Sequence, residues 1–308
     1  MRTLGETGEI EAIRRLTAGL GTASSLRVGA GDDCAVTRLP GGAFDQLLTS
    51  DPVIEGVHFL AAEDPVRVGR KAVGRVLSDL AAMGGRPQWM VVDVVAPVSF
   101  EMERLEAVYR GMIERCDAFD ATIVGGDLAR GERFELHVFA TGLVPAGQAL
   151  LRSGAAAGDV LMTTGALGCS RRGKHLDFLP RVEEGIFLRE SGAVSAMMDS
   201  SDGLATDLRH LLAASGVGAR LDVPAIPKNG TLEEALFDGE DFELLCSVRA
   251  EAAEELEASW SKRFADLPLS RIGVVLPSAE ALCLDFRDGR APAPLEGSGF
   301  EHFKGGGP

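Results

Sequence analysis

The sequence is short of positive charge. Its 31 lysines and arginines face 46 aspartates and glutamates, for a formal net charge of −15 and a pI near 4.8. A surface of that sign repels nucleic acid and acidic membranes, so neither is expected as a partner. Phosphorylated ligands remain compatible with it if metal ions supply positive charge locally. No run of about 18 apolar residues is present to span a bilayer. The opening stretch MRTLGETGEIEAIRRL has no apolar signal-peptide core. The five cysteines (Cys34, Cys116, Cys169, Cys246, Cys283) are scattered, odd in number and never spaced CxxC. That excludes a disulfide framework or zinc site and predicts reduced thiols. Low-complexity blocks and short-period repeats are also missing. These absences predict a soluble, cytoplasmic globular protein.

With 308 residues, 45% hydrophobic and 25% charged, the chain has room for two domains with their own cores. Periodicity predicts an amphipathic helix over 6–19, with Ile10, Ile13 and Leu16 on one face, then strands near 26–29, 33–38 and 45–50. A helix from Val66 to Met83 should stop at Gly84-Gly85 and Pro87. A buried strand at 89–98, a helix at 101–116 and strands at 120–124 and 134–144 complete a first half. The Gly/Ala/Pro-rich stretch Pro145–Gly158 marks the boundary, dividing the chain into 1–145 and 146–308. Strands follow at 159–164, 193–199, 217–223, 241–248, 270–276 and 281–286, with helices at 202–214 and 250–260. Such mixing predicts an α/β fold, in α+β layers with mixed sheets. The closing FKGGGP reads as a mobile tail.

Glycine is plentiful at 38 residues, and much of it sits beside aspartate. Five stretches share this character: GAGDDCAV (29–36), TSDPVIEGVHF (49–59), LSDLAAMGG (77–85), VGGDLARG (124–131) and MDSSDGLATDL (198–208). Magnesium prefers hard oxygen ligands and bridges carboxylates to substrate phosphates. Small neighbours let phosphate and metal approach the backbone. Asp199 and Asp202, three apart where a strand gives way to a helix, can point into one site, and the helix adds free N–H groups for an anion. Taken singly, an Asp-Gly pair is ordinary turn chemistry and an Asp at a helix start is an ordinary cap. Five together, with no competing motif, point to a metal-assisted enzyme acting on phosphates.

Near-misses narrow the chemistry. GCSRRGKH (168–175) carries the GxxxxGK of a P-loop, but His175 stands where Ser or Thr should bind magnesium. GAGDDC lacks the third glycine of a dinucleotide fingerprint. Protein-kinase signatures, HExxH and a nucleophile elbow are all missing, and His58 and His302 stand isolated.

The same stretches, with RSGAAAGDVLMTTGALG, GEDFEL and GFEHF, occur in the order found in the thiamine-monophosphate kinase family. The chain resembles that family from about Glu6 to the GFEHF at 299–303. The resemblance implies the two-domain fold of the aminoimidazole ribonucleotide synthetase superfamily, with the N-terminal domain pairing in a homodimer. It further implies that ATP phosphorylates thiamine monophosphate to thiamine diphosphate, assisted by several magnesium ions. No general base is required, because the acceptor phosphate is already ionised. By the same resemblance Asp33, Thr49, Ser50, Asp51, Asp79, Asp127, Asp199 and Asp202 would bind metal. Gly126, Asp127, Arg152 and Ser201 would bind ATP, and His58, Glu240 and Phe300 would bind the thiamine substrate.

The chain departs from the family pattern at Asp238, where glycine is usual, at Val76, at Ser200, and at Cys169-Ser170-Arg171-Arg172. Two other readings stay in view. One is a sibling ATP-dependent synthetase of the same superfamily; the other is a nucleotide-binding relative without turnover. The sibling that ends in a cysteine does not suit GGGP, and selenophosphate synthesis needs an early Cys–Lys pair, whereas the first lysine is Lys71.

Overall fold

The computed structural model describes residues 3–277, 282–297, 299, 300 and 303. His302 and the tail from residue 304 onward lie outside the described residues. The chain opens with two short helices, α1 (Leu4–Thr7) and α2 (Glu9–Thr17). A single helix was expected over this stretch. Gly8, at φ 77°, breaks it, and a capping box between Thr3 and Glu6 starts the first piece. The apolar face is not turned to the core: Ile10, Ile13 and Leu16 are 59%, 52% and 74% exposed.

Strands β1 (Leu26–Val28), β2 (Ala35–Arg38) and β3 (Phe44–Ile54) form an antiparallel meander. Helix α3 (Pro65–Ala82) follows. Asp64 caps its start by accepting from the Val66 N–H, proline occupies the first turn, and Gly84 at φ 67° ends it. Then come β4 (Arg86–Ala96), α4 (Met102–Asp117), β5 (Thr122–Arg130) and β6 (Glu135–Pro145). The six strands lie in the order β1-β2-β3-β6-β4-β5, with only β4 and β5 parallel, joined through α4. Helices α3 and α4 cover one face and cross closely. A Cβ on Gly69 would lie 2.0 Å from the Val108 carbonyl oxygen, and one on Gly111 would lie 1.9 Å from that of Val66. The other face leaves Phe44, Trp89, Val91 and Phe139 exposed.

The second half contains β7 (Val160–Thr164), α5 (Lys174–Asp177), α6 (Val182–Ser191), β8 (Val194–Ser200), α7 (Leu204–Ser215), β9 (Gly218–Asp222), α8 (Leu232–Phe237), β10 (Glu243–Val248), α9 (Ala253–Arg263), β11 (Leu269–Leu276), β12 (Leu282–Asp285) and β13 (Ala293–Pro294). Its seven strands run β13-β12-β9-β11-β7-β10-β8, parallel only between β12 and β9. Both sheets are mixed, as expected. Helices α5, α6 and α8 were not foreseen. In α6 the sequence VEEGIFLRES spreads its apolar residues around the helix, and the helix is held by close packing of Gly185 against Ala81 of α3. One hydrophobic cluster runs from the first sheet through α3 into β8, β10 and α9, so α3 is packed between the two halves. Among the described residues no helix is long and apolar enough to cross a membrane.

Candidate active site

The site is organised around α3. Its residues Lys71, Arg75 and Asp79 follow one another at four-residue steps and therefore share a face. A loop, the middle of a strand and a strand end converge on that face. Asp33 comes from the β1–β2 loop, Thr49 and Asp51 from β3, and Asp199 from the end of β8. Asp33, Asp79 and Asp199 present oxygens that all lie within 4.8 Å of one another. Thr49 Oγ1 donates to Asp79 Oδ2 at 2.5 Å, and Ser78 Oγ donates to Asp199 Oδ2 at 2.6 Å. Arg152 Nη2 donates to Asp33 Oδ1 at 2.5 Å, while the other oxygen of Asp33 is buried without a hydrogen-bond partner.

Three carboxylates this close cannot all be ionised comfortably in the absence of a cation. Burial, then the neighbouring Asp199, Asp51 and Asp33, holds Asp79 well above the usual carboxylate range. Burial and Asp33 push Asp199 up to about 7. Burial raises Asp33 despite Arg152. Asp32 is pushed to about 6 by burial and by Asp33. An all-oxygen donor set with an orphaned carboxylate oxygen and mutual repulsion fits a hard divalent cation. Asp51 stands beside the cluster, held bidentately by Arg75 at 2.8 and 3.1 Å.

Not every expected ligand joins it. In β3, Thr49 and Asp51 face α3, so Ser50 between them faces the opposite, exposed side and offers only its backbone to the cluster. Asp127 lies opposite Asp93 on that same exposed side. Gly126 is in register with Asp51 across β6 and β4, three strand spacings or about 14 Å away. Glycine is required there, because a Cβ would sit 1.9 Å from the Val92 carbonyl oxygen.

The residues expected to bind substrate do converge. His58, Glu240 and Phe300 line one cleft of about 360 Å³ together with Arg75, Arg171, Ser201 and Asp202. A second cleft of about 570 Å³ adjoins it, walled by His58, Leu60, Glu63, His175 and Glu240. His58 Nδ1 accepts the Ile54 N–H at 3.0 Å, so its proton is on Nε2. Glu240 sits at φ 65°, with its N–H on the Ser201 carbonyl at 2.7 Å. Burial would raise its carboxyl, but Lys71 at 2.6 Å and Arg75 at 3.2 Å, with His175 close by, bring it down to about 2. The Phe300 N–H donates to the Asp202 carbonyl at 3.2 Å, and the Arg171 guanidinium lies over its ring at 5.8 Å.

Sequence reasoning missed Lys71, Arg75 and Arg171 as site residues. The available signal was that Arg75 and Lys71 stand one and two four-residue steps before Asp79. The P-loop resemblance dissolves, because Lys174 bonds the Ala166 carbonyl at 2.9 Å and Glu243 at 3.0 Å. The departures from the family pattern also find local reasons. Val76 is fully buried in the core, and Ser200 donates to Asp207 at 3.0 Å. Asp238 has φ −70°, where glycine is not needed, and accepts the Cys169 N–H at 3.1 Å.

Residues 31–144 match the family model for AIR synthase related protein, N-terminal domain, and residues 171–281 match its C-terminal domain. The thiamine-monophosphate kinase of Rhodopirellula baltica is 37% identical over 271 residues, covering 82% of this chain and 84% of that relative. The thiamine-monophosphate kinase of Salmonella typhimurium is 34% identical over 310 residues, covering 90% of this chain and 92% of that relative. Among solved structures, AaThiL complexed with AMPPCP and TMP has a TM-score of 0.83 at 28% identity, covering 98% of this chain and 99% of that one. With both halves matched and such relatives aligned along most of its length, the chain belongs to the thiamine-monophosphate kinase family of AIR synthase-related proteins.

Proposed function

We propose that the protein transfers the γ-phosphoryl group of ATP to thiamine monophosphate, giving ADP and thiamine diphosphate. One observation carries the reading: the carboxylate cluster adjoins, through Asp51 and Arg75, a cleft lined by His58, Glu240 and Phe300. A phosphate-handling centre thus stands next to a pocket with an aromatic ring for a cationic heterocycle and a carboxylate for the amino group of the substrate's pyrimidine ring.

Asp33, Asp51, Asp79 and Asp199, with Thr49 and Asp202, would hold magnesium ions. Bound magnesium supplies positive charge that offsets repulsion between donor and acceptor phosphates. Arg152, now holding Asp33, is placed to hold an ATP phosphate once a cation takes over that carboxylate, and Ser201 flanks the nucleotide. Glu240 and His58 orient the thiamine part, and Phe300 stacks on its thiazolium ring. No side chain is assigned as a base, since the attacking oxygen carries no proton to remove.

The exposed apolar face of the first sheet supports a homodimer in which two copies cover it mutually. The Ser50 and Asp127 side chains lie on this face, so we assign any side-chain contact they make with metal or nucleotide, and that of Gly126 beside them, to the dimer. The division at 145/146 follows the two sheets, and a cytoplasmic location fits the five unpaired cysteines. The test is incubation with ATP, magnesium and thiamine monophosphate, followed by chromatography for thiamine diphosphate. Product that requires all three and disappears with EDTA supports the reading. Magnesium-dependent ATP binding without product would transfer the chain to a sibling synthetase or a silent relative.

A further inference from the structure

Lys71 is fully buried, an expensive place for an ammonium unless every proton has a partner. Here each has one. Nζ donates to the His58 carbonyl oxygen at 2.6 Å, to Glu240 Oε1 at 2.6 Å and to His175 Nδ1 at 2.9 Å. Burial pulls its pKa down to about 8, which leaves it charged at neutral pH. These three acceptors belong to separate parts of the chain: the loop after β3, the turn before β10 and helix α5. The lysine itself is on α3, so one nitrogen ties the two halves together beneath the substrate cleft.

These contacts also orient Glu240. His175 Nδ1 faces the Lys71 ammonium at 2.9 Å, and its contact with Glu240 Oε2 is the longer one, at 3.4 Å. Lys71 and Arg75 both act on Oε1. Oε2 is left with only the longer His175 contact, so it is the oxygen with room for a ligand's donor. The backbone at Glu240 is left-handed for a residue with a side chain, a conformation that needs outside support.

We infer that Lys71 is a positioning residue for the thiamine-phosphate pocket, holding Glu240 by Oε1 so that Oε2 can accept from an amino group of the substrate's heterocycle, and holding the His58 loop at the same time. The inference rests on the proposed kinase reaction. It makes Lys71 act through Glu240 on the acceptor substrate and not on the nucleotide.

The test compares wild type, K71M, E240Q and K71M/E240Q by steady-state kinetics, varying ATP and thiamine monophosphate separately. Expected is a rise of about tenfold to a hundredfold in KM for thiamine monophosphate in K71M, with KM for ATP nearly unchanged. The double variant should lose less than the product of the two single losses, since part of what Lys71 positions is Glu240 and the rest is the His58 loop. It removes the buried charges as a pair, so it serves if K71M by itself does not fold. An unchanged KM for thiamine monophosphate in K71M, a parallel loss of both substrates, or single losses that simply multiply in the double variant would each overturn the inference. Wild type that makes no thiamine diphosphate would instead remove the reaction on which it rests.

Discussion

At the scale of single residues, the candidate site is a set of charges that oppose one another. Asp79 is held above its usual range by burial and by three other aspartates. Asp79→Asn should therefore abolish phosphoryl transfer while leaving the magnesium-free fold as stable or more so. Circular dichroism and thermal melting beside the activity assay check this, and near-normal turnover would remove Asp79 from the metal site. The pH dependence follows from Asp199, at about 7 in the folded chain against 3.8 for an ordinary aspartate. The folded state holds that proton more tightly, so without cation this group favours folding at low pH. Its contribution is lost as pH rises from about 4 through about 7. Magnesium needs the deprotonated carboxylates, so the Tm gain it gives should grow between about pH 5 and about pH 8. A gain that stays flat or shrinks over that range would mean these carboxylates are not its ligands.

Among elements, α3 has the largest share of the site. Twelve of its residues are buried, yet the helix also delivers Lys71, Arg75 and Asp79 to the cleft. It can do so because it is packed between two sheets, with glycines allowing α4 to approach. Gly111→Ala would place a methyl group 1.9 Å from the Val66 carbonyl oxygen, and backbone cannot yield as a side chain does. We expect a loss of about 1–3 kcal/mol, read as a lower Tm. Turnover should fall with it, because a shift of α3 moves all three site groups; unaltered melting would show that the crossing adapts. The extent of α3 was legible in the sequence, its end from Gly84-Gly85 and Pro87; the Asp64 cap and the proline of its first turn were not read there. Helix α6 was not, since its apolar residues form no stripe and its position depends on Gly185 meeting Ala81.

For the whole molecule, the consequential feature is the uncovered face of the first sheet. Trp89, Val91 and Phe139 stand exposed there beside Asp93 and Asp127. Trp89→Lys combined with Phe139→Glu should convert a dimer to a monomer in light scattering. If Asp127 acts beside a second copy, the monomer should also lose affinity for ATP. A wild-type protein that is already monomeric would remove this assignment. The α1–α2 region shows the same limit from another side: its amphipathic pattern is real, but Ile10, Ile13 and Leu16 stay exposed among the described residues.

What the sequence determined by itself was chemistry and order. Aspartates beside small residues, in a chain without competing motifs, indicate oxygen ligands for a cation, and their succession along the chain marks the family. Mixed layers and most strands were equally readable, because hydrophobic alternation and glycine or proline punctuation are local properties. Which aspartates meet was decided by tertiary structure alone. Asp33, Asp79 and Asp199 come together from positions 46 and 120 residues apart, whereas strand alternation turns Ser50 and Asp127 to the other face. The same holds for Lys71: nothing local marks a lysine for burial, and only two halves folding onto one helix bring it the three acceptors that make its burial tolerable.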